Sequence, residues 1–217
     1  MFLLALAIST LSLHWGGPWL FGLWLAMDFL LLGLAHARGW NRIFGKRADG
    51  TLSIWSWLVY GPLLLFSHAV WHVLRNVSRE PVVQEVAPQM SAGRRLLGHE
   101  LPGPFDNLVD LTSEFAEPSQ LRQLAGYVSF PMLDGAAVDP QDLLAVIRRL
   151  RPGTTFVHCA QGHGRTGLFC AALLLERHLA ANPAAALEQL QSVRPGIRLS
   201  RHQRSCLDRF ALLLEPE

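Results

Sequence analysis

The sequence predicts an α/β fold: a central, mainly parallel sheet flanked by helices, preceded by hydrophobic membrane helices. Three observations predict it. After residue 104, short apolar runs bounded by Pro, Gly and Asn alternate with helical patterns, which is how strand and helix layers with parallel pairing are written. One such run, TTFVH at 154–158, ends in a glycine-rich turn that opens directly into an apolar helix. Finally, 50% of the 217 residues are hydrophobic, and the excess is concentrated in the first third, where all seven tryptophans fall between Trp15 and Trp71.

Residues 2–13 are almost wholly apolar, Gly16-Gly17-Pro18 breaks the run, 19–35 are apolar again, and a third stretch, 52–74, contains Pro62. A bilayer-spanning helix takes roughly 20 apolar residues, so the first run is short, the second nearly adequate and the third long enough. No basic region precedes the first run, and apolar sequence continues far past a normal cleavage site, which argues against a cleaved signal peptide. Tryptophan rings favour the membrane–water interface, which argues against a buried pair of core helices. The four basic residues of 38–47, and Arg75 with Arg79, favour the cytoplasmic side. Both groups share that side only if 52–74 does not cross fully. The expected arrangement is a short hairpin from 1–35, then an interfacial or re-entrant segment interrupted at Pro62. Asp28 falls inside the hairpin, where an acid is either functional or close to the interface. His68 and His72 share a helix face, but no third ligand is visible, so no metal is expected.

Residues 1–79 are thus read as membrane-anchoring helices, 80–104 as a linker with one edge strand near 82–86, and 105–217 as the remainder of a globular domain. In that domain the runs at 107–111, 127–130 and 154–158 read as strands. A short helix is expected over 118–125. Longer helices are expected from Asp139-Pro140 to about 150, from Arg165 to about 180, from Asn182-Pro183 onward, and from Ser200 to about 214. The net charge of +2 divides into +4 for residues 1–79 and −2 for the rest. A folded domain without a basic excess is a poor nucleic-acid binder. Cys159, Cys170 and Cys206 form neither a disulfide framework nor a metal-site spacing.

The decisive stretch is His158-Cys159-Ala160-Gln161-Gly162-His163-Gly164-Arg165-Thr166-Gly167. It joins a buried strand to a helix, where ligands bind in α/β sheets. Gly162 and Gly164 let the loop curl so that backbone N–H groups point inward as an anion nest. The helix presents its positive end to the same point, and Arg165 adds a planar fork for two oxygens of a phosphate. At the base of the nest, Cys159 is placed as a nucleophile for phosphorus. Thr166 can donate a hydrogen bond to the sulfur, and His158 orders the loop through its ring nitrogens.

This stretch resembles the signature of the protein-tyrosine-phosphatase superfamily, His-Cys-x2-Gly-x-Gly-Arg-Thr/Ser. The small size resembles the atypical members of its dual-specificity branch, over roughly residues 82–214. The resemblance implies the cysteine-phosphatase fold and a two-step mechanism through a cysteinyl phosphate, with no metal or cofactor. It implies phosphate binding by Ala160, Gln161, Gly162, His163, Gly164 and Arg165. It also implies a general acid on a loop before the cysteine. Phe130-Pro131-Met132-Leu133-Asp134-Gly135 matches that loop, with Asp134 lying 25 residues upstream of Cys159. Asp139, just before Pro140, reads instead as a helix cap. Gln203 is placed where some members orient a water, and equally completes a capping box with Ser200.

The loop carries no lysine at Ala160, Gln161 or His163, which suits a substrate with a single phosphate on a tyrosine, serine or threonine side chain. A phospholipid substrate of the phosphatidylglycerophosphate or phosphoinositide type is the alternative, since the anchor holds the site near headgroups and Arg194, Arg198, Arg201 and Arg204 border it. An idle phosphate-binding membrane adaptor is the alternative outside enzymes. The expected location is the inner or plasma membrane, with the catalytic domain facing the cytoplasm.

Overall fold

The computed structural model describes residues 1–101 and 103–215. Pro102, inside the expected linker, and residues 216–217 lie outside the described residues.

Five strands form one sheet: β1 Val83–Ala87, β2 Met90–Arg94, β3 Asn107–Thr112, β4 Tyr127–Met132 and β5 Thr155–Cys159, in the order β1-β2-β5-β3-β4. β1 and β2 pair antiparallel, and every other pair is parallel. Successive residues of a strand face opposite sides, and the composition follows. Val109, Leu111, Val157 and Cys159 join the core beneath the C-terminal helices. Leu108 and Phe156 join a second cluster on the other face. Both faces are covered, so β3 and β5 are buried throughout.

The stretch 80–104 is more than a linker with one edge strand. It holds a hairpin whose second strand, β2, lies inside the sheet with Met90 to Arg94 registered against Thr155 to Cys159. The sequence MSAGR hides this strand because Gly93 replaces an apolar residue. A Cβ there would strike the Val82 carbonyl and the Phe156 ring.

The helices are α1 Phe2–Trp15, α2 Gly22–Arg38, α3 Ile54–Val77, α4 Ser119–Arg122, α5 Pro140–Ile147, α6 Gly164–Glu176, α7 Pro183–Val193 and α8 Arg201–Leu212. Their starts follow capping chemistry: the Asp139, Asn182 and Ser200 side chains accept from the amides of Gln141, Ala185 and Gln203. α6 is buried from Arg165 to Leu175, which explains its apolar sequence. It stops short of residue 180 because the chain turns through a left-handed His178.

α1 and α2 pack as a hairpin around the turn at Gly17–Phe21. α3 kinks at Tyr60, just before Pro62. The kink separates the Val59 carbonyl from the Leu63 amide, which would be partners in an unbroken helix. α2 satisfies both: Trp24 Nε1 donates to Val59 O at 2.7 Å, and Leu63 N donates to Asp28 Oδ2 at 3.2 Å. Asp28 is fully buried, and its role here is to cap the second half of α3.

Two helical stretches, Gly17–Arg38 and Ile54–Val77, are long and apolar enough to cross a membrane. α3, however, is held on the globular domain from Leu63 onward. Leu63 and Leu64 pack with Leu133 and Ala136, the His68 ring meets Phe115 edge-on at 4.8 Å, and Arg75 pairs with Glu100 at 2.6 Å. Lys46 is buried in the same domain, paired with Asp110 and donating to Thr112 O at 2.8 Å. The packing therefore runs straight across the boundary expected between residues 79 and 80.

Candidate active site

Cys159 ends β5 and is buried, and α6 begins five residues later. Between them the loop carbonyls are pulled outward. Ala160 O accepts from Trp71 Nε1 at 3.2 Å, Gln161 O from Arg194 Nη2 at 3.2 Å, and Gly162 O from Arg194 Nε at 3.0 Å. In a trans peptide the following N–H points the opposite way, so the amides of Gln161, Gly162 and His163 face inward. Gly162 N reaches the Cys159 sulfur at 3.2 Å. Gly162 has φ +76°, and a Cβ there would collide with the backbone of Gly93 and Arg94. Only glycine fits.

Arg165 is 2% exposed and held by a partner absent from the sequence reading. Glu114, just past β3, grips both terminal nitrogens at 2.8 Å, and Met132 O accepts from Nη1 at 3.1 Å. Burial works against the guanidinium, but the Glu114 carboxylate outweighs it and raises the pKa of Arg165. Asp134 is exposed and places Oδ1 3.3 Å from Arg165 Nε. Cys159, Arg165 and Asp134 thus line one cavity of about 540 Å³, together with Ala160, Gln161, His163, Gly164 and Gln203.

Gln203 serves the capping box and the cavity together. Its Oε1 accepts from Ser200 N at 3.0 Å, which leaves Nε2 without a partner among the described residues. Thr166 and His158 depart from expectation. The Thr166 hydroxyl is buried with no partner among the described residues, and Gly162 N takes its place at the sulfur. The His158 ring nitrogens have no well-formed hydrogen-bond partner among the described residues. The ring stacks on Phe156, with Nε2 3.6 Å from Glu117 Oε1. Burial pushes its pKa down to about 4. Burial, with the charge of Asp110, pushes Glu117 up to about 8. Ligand atoms of Asp110, Glu117 and His158 converge within 4.8 Å, but the Lys46 ammonium already supplies the cation there.

Arg194 is not available to a substrate. It is 1% exposed, and its bonds go to loop carbonyls, to Pro81 O and to Glu80, which also meets His163 Nε2 at 2.7 Å. Arg201 and Arg204 are exposed on α8, and only Arg198 of that group lines the cavity. Burial pushes the Cys170 and Cys206 thiols up, which leaves both unreactive.

Residues 106–207 match the family described as PTP-SAK, a Swiss Army Knife protein DSP-PTPase phosphatase domain. The matched residues are similar to a phosphatase domain of the protein-tyrosine-phosphatase superfamily. The sheet and flanking helices have the fold of the solved phosphatases that the chain resembles. The active form of Tk-PTP superposes with a TM-score of 0.55 at 21% identity, covering 61% of this chain and 97% of the other. PTPMT1 in complex with PI(5)P gives 0.53 at 16% identity, covering 61% and 96%. Among curated proteins, a phosphatidylglycerophosphate phosphatase of Arabidopsis thaliana, PTPMT2, is 38% identical over 63 residues, 29% of this chain. The match spans 27% of that relative's length.

The sequence reading missed Glu114, Glu80, Trp71 and the structural use of Arg194. None of them lies in the signature, and only the fold brings them to it. The one available signal was Trp71, an aromatic on an apolar stretch whose indole N–H requires a partner once buried.

Proposed function

We propose that this chain is a membrane-associated phosphatase that removes a terminal phosphate from a phospholipid headgroup at the bilayer surface. One observation carries the substrate class: the cavity above Cys159 has a polar floor and an apolar wall, and the wall comes from the N-terminal helices. Leu32, Leu63, Phe66, Val70 and Leu74 line it together with the loop residues. A phosphorylated protein side chain has no use for such a wall, whereas a lipid bearing both phosphate and hydrocarbon matches both halves. The relatives whose names specify phosphatidylglycerophosphate or a phosphoinositide ligand point the same way.

The chemistry follows from the residues. The Cys159 thiolate attacks phosphorus while the inward amides and Arg165 hold the non-bridging oxygens. The bond to the leaving oxygen breaks, and Asp134 gives that oxygen its proton. Water then attacks the cysteinyl phosphate, positioned by the free Nε2 of Gln203. Asp134 takes the water's proton, the S–P bond breaks, and inorganic phosphate leaves. The globular domain sits on the cytoplasmic side in this reading, with the α1–α2 hairpin dipping into the bilayer. α1, at 14 residues, measures about 21 Å, short of the ~30 Å hydrocarbon core.

A phosphoprotein substrate is the second reading, favoured by the absence of lysine at Ala160, Gln161 and His163. The test compares release of phosphate from phosphatidylglycerophosphate in vesicles and from phosphopeptides, using the full chain and Cys159→Ser. Faster turnover of the lipid, abolished in Cys159→Ser, is expected. Preferential phosphopeptide turnover overturns the lipid reading, and equal, negligible turnover by both proteins supports the adaptor.

A further inference from the structure

The loop that carries Asp134 is held from two sides. On the globular side, Arg165 Nη1 donates to Met132 O at 3.1 Å and Ser200 Oγ to Gly135 O at 2.8 Å. On the other side, every contact comes from the N-terminal region. Asn41 makes two bonds that together bracket the loop: Leu133 N donates to its Oδ1 at 2.9 Å, and its Nδ2 donates to Ala137 O at 2.9 Å. Near the C-terminal end of α2, His36 Nε2 lies 3.1 Å from Asp134 O. Leu133 and Ala136 are buried against Ala35, Phe44, Leu63 and Leu64.

Geometry makes this grip more than a general packing contact. Asp134 is exposed, and its carboxylate is placed by one weak ion pair at 3.3 Å. Gly135, the next residue, has φ +71°, and a Cβ there would meet nothing within 4 Å, so the loop has a glycine pivot beside the acid. A short loop with a pivot and one exposed carboxylate needs its backbone fixed from outside if the acid is to meet a leaving oxygen within hydrogen-bond reach. Asn41 is the side chain that fixes both flanks, and it belongs to the segment that directly follows α2.

We infer that Asn41 is a positioning residue for the Asp134 loop, with His36 in support, so that seating of the α1–α2 hairpin sets whether the general acid is in place. The inference rests on the assignment of Asp134 as that acid. It predicts a leaving-group signature. A substrate whose leaving group departs as a stable anion needs no proton, whereas a poor leaving group does.

The test measures kcat/KM, which reports the steps up to P–O cleavage, for a series of aryl phosphates, from dinitrophenyl to phenyl, with the full-length protein in micelles. Asn41→Ala is expected to lower kcat/KM on phenyl phosphate by about 10-fold or more, a share of the ~10²–10⁴-fold that a general acid supplies. On dinitrophenyl phosphate it is expected to leave kcat/KM within about twofold. Asn41→Asp, which keeps the acceptor for Leu133 N and loses the donor to Ala137 O, guards against misfolding and is expected to fall between. A uniform loss across the series, or none, overturns the positioning role. Asp134→Asn is the control: a steep leaving-group dependence there with a flat one in both Asn41 variants rejects the clamp alone. A flat dependence in Asp134→Asn rejects the acid assignment, and the clamp with it.

Discussion

At the scale of single residues, the buried groups beside the phosphate loop make stability depend on pH in a defined window. His158 is held neutral, with its pKa pushed down to about 4 from an ordinary 6.5. Between those values the unfolded chain takes up a proton that the folded chain refuses, so this residue makes stability rise with pH. Glu117 is the reverse, pushed up to about 8 from 4.5. The folded chain keeps a proton there that the unfolded chain has lost, so stability falls as pH rises through that window. The two oppose each other below 6.5, and above it only Glu117 remains. The denaturation midpoint is therefore expected to fall between pH 6.5 and 8, with a slope of up to about 1.4 kcal/mol per pH unit. Glu117→Gln should flatten that limb, and a wild-type midpoint that holds level across it would show the carboxyl ionised in the fold. Cys159, Arg165 and Asp134 stand out at this scale because the chemistry expected of them fixes their spacing, and the fold brings all three to one cavity. Glu114 and Glu117 do not, because SEFAEP has no spacing that ties it to the signature. Only the pairing of β3 with β5 brings those carboxylates to Arg165 and His158.

Helices and strands were legible where their caps are chemical. Asp139-Pro140, Asn182-Pro183 and Ser200 with Gln203 each start a helix where side-chain bonding dictates. β2 was hidden because an inner strand that must accommodate the Phe156 ring and the Val82 carbonyl carries Gly93 in place of a bulky residue. The break at Pro62 was legible, but not its repair, since Trp24 and Asp28 come from a different helix. That repair yields a prediction for α3 as an element. Asp28→Leu strands the Leu63 amide, and a buried donor left without a partner costs about 1–3 kcal/mol. Asp28→Asn retains an acceptor and should retain most of the stability. Thermal unfolding of both variants in the same detergent separates the cases, and equal midpoints would mean that the amide finds another acceptor.

For the molecule as a whole, the sequence suggests an anchor followed by an enzyme, and the packing does not divide that way. Composition shows where apolar residues concentrate, but it does not show that Lys46, Asn41 and Trp71 turn back onto the globular domain. A chain beginning at residue 80 would leave Asp110 buried without its lysine, expose Leu133 and Ala136, and free the Ala160 carbonyl from Trp71. Removing one partner of a buried ion pair alone costs about 3–5 kcal/mol, a large share of the usual 5–15 kcal/mol of a domain. Such a chain should lack a cooperative urea transition. A sharp transition like that of the full chain would show that the catalytic unit folds on its own.

The apolar wall of the cavity has a further consequence for how catalysis scales. On the proposed lipid reading, that wall is made by the same helices that carry the exposed apolar surface, so any amphiphile in the two-dimensional phase around the enzyme would compete with the substrate. Velocity would then follow the mole fraction of substrate in the surface rather than its bulk concentration. Inert lipid or detergent would act as a diluent that slows turnover without touching the sulfur.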